Sequence, residues 1–138
     1  IIDNRLHLCH VFTVDDLKYL HRGGRVSKTA AIAGSILGIK PLLHVDNEGH
    51  LIPVGKIRGR KQSIEKLVDM MCERMGNWDN STVAVCHGDC LSDAEYAADL
   101  MRKKLGKKTT VHICYTGAVI GAHSGPGTLA LFFMGDQR

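Results

Sequence analysis

Residues 121–128, Gly121-Ala122-His123-Ser124-Gly125-Pro126-Gly127-Thr128, gather the groups best suited to hold an anion. Glycine lets a backbone approach a ligand closely and leaves N–H groups free to point at negative charge. His123 can donate to a carboxylate or phosphate, and an imidazole titrates across physiological pH. Ser124 and Thr128 add hydroxyls, and Gly125 and Gly127 supply backbone freedom. These five residues are candidate ligand contacts. The same string also reads as a tight turn between strands with an incidental His.

Two basic clusters extend the set. Arg22-Gly23-Gly24-Arg25 precedes a helix start near Ser27, and Arg beside a helix N-terminus suits an anion. Arg25 therefore joins the candidate ligand contacts, against the plainer account of a glycine helix stop with solvated arginines. Lys56-Ile57-Arg58-Gly59-Arg60-Lys61 enters a helix, and Arg58 and Arg60 suit an acidic protein face, unless the stretch is a solvated loop. It lacks the interleaved aromatics of a nucleic-acid site, and no recognition-helix pattern follows. Cys86-His87-Gly88-Asp89-Cys90 has zinc-like spacing, yet no second Cys or His pair completes a set; buried cysteines at a strand end are the simpler account. Neither Gly-x-Ser-x-Gly nor a Walker loop occurs, and no Ser–His–Asp set can be assembled from spacing, so no catalytic residue, metal or cofactor is assigned.

These residues need elements to position them. His7, Cys9 and His10 alternate as in an early strand. Thr13-x-x-Asp16 resembles a capping box for a short helix over 14–21, with Phe12 and Leu17 as its staple and Gly23-Gly24 as its stop. Ser27 is placed to cap a helix over 28–37, and Gly38 to end it. Residues 42–45 and 50–54 read as a hairpin around Asp46–Gly49, with prolines that favour an edge position. Apolar residues from Ile64 to Met75 recur at helical steps over 61–75. Residues 81–86 form a strand, and Ser92-x-x-Glu95 reads as a capping box for a helix ending at Gly106. Residues 109–115 and 128–134 are strands flanking a glycine-rich loop. The expected fold is α+β, a mixed or antiparallel sheet with helices packed against it.

Composition agrees with one compact domain. The 138 residues are 44% hydrophobic, 23% charged and only 5% aromatic, with net charge +4. That balance excludes disorder, suits anionic ligands and is too mild for nucleic acid. No apolar run reaches the roughly 20 residues of a membrane span, and no signal sequence opens the chain. The five cysteines show no disulfide framework, which points to reduced thiols in a cytoplasmic protein. The start at Ile1, without Met, reads as a processed chain or part of a longer one.

Four blocks resemble the DegV family of bacterial fatty-acid-binding proteins. They are Leu17-x-x-Leu20-x-Arg22-Gly23-Gly24-Arg25-Val26-Ser27-Lys28, Gly34-x-x-Leu37-x-Ile39-Lys40-Pro41, the stretch 56–61, and the tail from Ile120 to Thr128. They fall in family order over nearly the whole chain. The resemblance implies that 1–138 is the family's C-terminal α+β domain, with the N-terminal α/β domain absent. A long-chain fatty acid would lie between the two, its tail in apolar core and its carboxylate on small hydroxyl residues. FakB-type members present that carboxylate to a fatty-acid kinase, which brings ATP and makes an acyl phosphate. By the same resemblance His123 lies near the head group, Arg58 or Arg60 matches the arginine implicated with the kinase, and Arg25 faces the domain interface. The family's Thr and Ser carboxylate ligands lie in the absent domain. The expected protein is a lipid-binding accessory, not an enzyme, with a fatty acid, a kinase and its own N-terminal domain as partners and no stable membrane insertion. The rival expectations are a protein-interaction domain without lipid and an acyl hydrolase or transferase using His123 with Ser124.

Overall fold

The computed structural model describes residues 2–27, 38–106, 108–136 and 138. The helix expected over 28–37 lies outside them. A short 3-10 turn at Arg5–His7 leads into β1 (Leu8–Thr13), followed by α1 (Lys18–Arg22), β2 (Ile39–Val45) and β3 (Leu51–Arg58). Then come α2 (Arg60–Arg74), β4 (Thr82–His87), α3 (Leu91–Leu105), β5 (Thr110–Tyr115), α4 (Ala118–Ser124) and β6 (Leu129–Met134). The strands form one mixed sheet in the order β3-β2-β1-β6-β4-β5. Among the described residues only β4 and β5 run parallel, and α3 makes the crossover that a parallel pair needs. The α+β expectation holds.

Alternation along the strands sends two sets of side chains to opposite faces. Cys9 and Val11 of β1, Val83 and Val85 of β4, and Leu129, Leu131 and Phe133 of β6 meet Ile64, Leu67, Val68 and Met71 of α2 and Ala94, Ala97 and Met101 of α3. This is the main core. The small alanines of α3 let that helix lie close on the sheet. On the other face a smaller cluster of Phe12, Val14, Leu17, Leu20 and Leu43 covers only one region. Among the described residues no long helix packs on the rest of that face.

Several local expectations change. Thr13 ends β1, paired with Leu129, and is fully buried, so no capping box forms there. Strand pairing takes Thr13, and Asp16 Oδ1 instead accepts from the Lys18 N–H at 2.8 Å, which starts α1 late. At α3, Ser92 lies inside the helix rather than at its cap; the backbone N–H of Cys90 donates to Nδ1 of His87 at 3.3 Å. The hairpin is longer than expected, with Val45 opposite Leu51, and Asp46 Oδ1 accepts from the N–H groups of Glu48 and His50. Pro53 lies on the edge strand β3 as expected. Pro41 is on β2, whose pairing with β1 is confined to Val11↔His44 and Phe12↔Leu43; its missing N–H interrupts no bond on that side. The glycine-rich loop holds α4, bounded by Gly117 and Gly125.

Candidate functional site

The sparsely covered face of the sheet carries a cavity of about 480 Å³, within the roughly 300–1,000 Å³ of small-molecule sites. His10, Phe12, Cys86, Ala130 and Phe132 form its sheet wall. Leu20, Val45 and Leu51 contribute more apolar surface, and Val119, Ile120, His123 and Ser124 come from α4. Beside His10 and Tyr115, the polar residues of the lining are Arg25, Thr116, His123, Ser124 and Thr128. His10 packs against Phe132 with ring centroids 4.9 Å apart and planes tilted by 59°. Burial, assisted by Arg138, lowers the His10 pKa from 6.5 to about 4, so the ring is neutral at physiological pH.

Glycines set the geometry of the polar side. α1 packs against α4. A Cβ at Gly23 would collide with Nδ1 of His123, so only glycine lets the imidazole lie on that turn. Arg25 donates from Nη1 to the Gly23 carbonyl at 2.5 Å. Arg25 and His123, distant in sequence, therefore meet around one residue. Gly125 lies under the ring of Tyr19, and Gly127 lies against the carboxylate of Asp15; both have positive φ, 80° and 78°. The turn is clamped to β4 by Gly127 N–H donating to Gly88 O at 2.7 Å and Gly88 N–H donating to Thr128 O at 2.8 Å.

The two hydroxyls face their own backbone. Ser124 Oγ donates to Ile120 O at 2.8 Å, and Thr128 Oγ1 to Gly125 O at 2.7 Å. Both residues are buried. Each oxygen keeps acceptor capacity, but its hydrogen is engaged. Ser124 also follows His123 directly on one helix, where adjacent side chains do not face each other; this geometry does not supply a Ser–His nucleophile. Sequence reasoning passed over Thr116. Its Oγ1 is buried with no hydrogen-bond partner, in a residue lining the cavity. The available signal was a Thr-Gly pair at a strand end, next to the glycine-rich segment.

The structure separates the two central arginines of the basic stretch. Arg58 ends the edge strand β3 and is exposed. Arg60 is 20% exposed; its Nε donates to Asp93 Oδ2 at 2.8 Å and its Nη1 lies 3.7 Å from Asp15. Asp15 also pairs with Lys40 at 2.8 Å. Arg60 thus ties the α2 start to α3 and to the carboxylate beside Gly127. The zinc-like spacing does not converge: Cys86 Sγ faces Cys114, whereas Cys90 Sγ donates to Thr128 O.

These features define a class: an α+β domain whose sheet is packed by helices on one face and carries an apolar, polar-lipped cavity on the other. The chain belongs to the DegV family, whose model, described as "Uncharacterised protein, DegV family", matches residues 1–136. It is 46% identical over 136 residues to a DegV domain-containing protein of Clostridium perfringens, covering 99% of this chain and 46% of that protein. The crystal structure of DegV from Bacillus subtilis, a fatty acid binding protein, matches with TM-score 0.73 and 33% identity, over 98% of this chain and 47% of that one. A fatty acid binding DegV family protein from Streptococcus agalactiae matches with TM-score 0.84 and 29% identity, over 99% and 47%. The chain spans somewhat under half the length of the curated relatives it matches. No described helix is long and apolar enough to cross a membrane.

Two outcomes follow from the geometry. Gly23→Ala keeps an allowed φ of −76° but displaces the His123 ring, which NMR reads as a shifted imidazole signal together with a lower Tm. Gly24→Ala, at φ +72° with open space around its Cβ, costs about 1 kcal/mol of backbone strain and leaves that signal in place. For His10, the unfolded chain takes up a proton near pH 6.5 while the folded ring stays neutral to about pH 4. Stability therefore falls as pH drops through that window. Melting curves at pH 7 and pH 5 should differ less for His10→Phe than for the unaltered chain.

Proposed function

We propose that this chain is one wall of a long-chain fatty-acid site, and that the whole protein presents the acyl carboxylate to a fatty-acid kinase. The observation that carries the reading is the 480 Å³ cavity on the sparsely covered sheet face, apolar along the sheet and lipped by Arg25, Thr116 and His123. An acyl chain gains about 0.8 kcal/mol per buried methylene. A carboxylate in such a place needs donors, since uncompensated burial costs several kcal/mol. His123, the guanidinium of Arg25 and the unpartnered Thr116 hydroxyl supply them. Gly125 and Gly127 let the turn close on Tyr19 and Asp15, and Ser124 and Thr128 brace it; these four act on the ligand through the positions they fix.

The second wall is the protein's own N-terminal domain, which the greater length of the relatives leaves room for. Tyr115, Val119 and Ile120, at 71%, 73% and 60% exposure, are apolar surface for it to cover. The protein acts as a carrier rather than a catalyst; the kinase supplies ATP and the phosphoryl-transfer step. Of the two arginines, Arg58 is the docking residue, because its charge is exposed whereas Arg60 is held by Asp93 and Asp15.

Mass spectrometry of the denatured full-length protein should release long-chain fatty acid, and these 138 residues alone should retain little. Recovering no acyl chain from several expression hosts would overturn the reading. His123→Ala should lower acyl phosphate formation by the added kinase, and the protein alone should turn over no acyl ester. Arg58→Glu should weaken kinase coupling while Tm and lipid content stay constant. Arg60→Glu places a third carboxylate beside Asp15 and Asp93 and should cost about 2 kcal/mol or more in thermal or denaturant unfolding.

A further inference from the structure

Cys86 on β4 and Cys114 on the edge strand β5 are opposed in the parallel ladder, and their sulfurs lie 2.7 Å apart. Neighbouring strands are about 4.8 Å apart, within the roughly 4.4–6.8 Å that a disulfide spans between Cα atoms. Cys86 is half-buried and lines the cavity, while Cys114 is exposed. The remaining thiols are set differently: Cys9 is buried, Cys72 lies on α2, and Cys90 donates to Thr128 O. The lipid reading uses Cys86 only as cavity wall and gives neither thiol a chemical role.

We propose that Cys86 and Cys114 form a redox pair, which a hydroperoxide converts to a reversible cross-strand disulfide tying β5 to β4 at the cavity wall. The accessible Cys114 reacts first. Its thiolate attacks the terminal oxygen of the hydroperoxide, the O–O bond breaks, and an alcohol, or water from hydrogen peroxide, leaves with Cys114 as the sulfenic acid. The Cys86 sulfur then attacks the Cys114 sulfur; its proton and the departing hydroxide leave as water, and the S–S bond closes. Two thiols lose two electrons and the hydroperoxide gains them. Burial, reinforced by the neighbouring Cys114 thiol, pushes Cys86 up to about 12, which leaves it a poor first nucleophile; its part in the second step rests on its contact with the Cys114 sulfur.

The test treats the full chain with one equivalent of hydrogen peroxide, followed by intact mass measurement and peptide mapping without reductant. The expected result is a loss of about 2 Da, a linked peptide joining Cys86 to Cys114, and reversal by dithiothreitol. The oxidised form should melt several degrees higher. Cys86→Ser and Cys114→Ser should each abolish the linked peptide, and Cys72→Ser should leave it unchanged. A mass gain of one or two oxygens with no link, or a link through Cys9, Cys72 or Cys90, overturns the proposal. The peptide map of the unaltered protein decides it even where a variant fails to fold.

Discussion

A six-stranded sheet has two faces to shield from water, and α2 and α3 shield only one. On their side, Val83, Val85, Leu129 and Leu131 are at most 2% exposed, and the interior is closed. On the other side, Phe12, Ala130 and Phe132 line an open hollow bounded by short elements. Apolar surface left in that state is a cost unless something covers it. In the reading proposed above, a ligand tail and a second domain both answer the same need. The proposed site and the proposed second domain both rest on this uneven coverage among the described residues.

The polar lip is built by what is left out. Gly23, Gly125 and Gly127 each leave space that a larger neighbour fills: His123, Tyr19 and Asp15 respectively. These three contacts join the 15–25 segment to the 117–128 segment, about a hundred residues apart in the chain. The Asp15–Arg60–Asp93 and Lys40–Asp15 pairs extend the same junction to the starts of α2 and α3. The turn that follows His123 is thereby anchored to several elements at once, while the imidazole itself rests on Gly23.

The long helices were legible because their cores demand a single stripe: the residues from Ile64 to Met75 and from Ala94 to Leu105 repeat at helical steps and meet the sheet as expected. α4 was not legible, since Gly117, Gly121 and Gly125 are poor helix formers, and packing on α1 overrides that tendency. Nor was the start of α3, where no side-chain cap forms and the Cys90 N–H donates to a histidine of the preceding strand. Strand order depends on contacts between distant segments, so nothing local announced that Cys86 would lie opposite Cys114, or that Arg60 would be enclosed while Arg58 stayed exposed. His123 and Arg25 could be singled out by type, but their meeting around Gly23 needed the fold. The DegV resemblance, by contrast, rested on four blocks in order and carried through to the family match.

The pairing of β1 with β6 has a bearing on how the molecule is made. Leu8 lies opposite Met134 and Thr13 opposite Leu129, so the strands at the middle of the sheet come from opposite ends of this segment. During synthesis the first of them must wait, unpaired on that edge, until the last has left the ribosome. Such separated partners raise contact order and slow assembly, and they prolong the interval in which a sticky strand edge is bare. The β2–β3 hairpin and the β4–α3–β5 unit can form locally in that interval, leaving β6 as the closing piece that joins them.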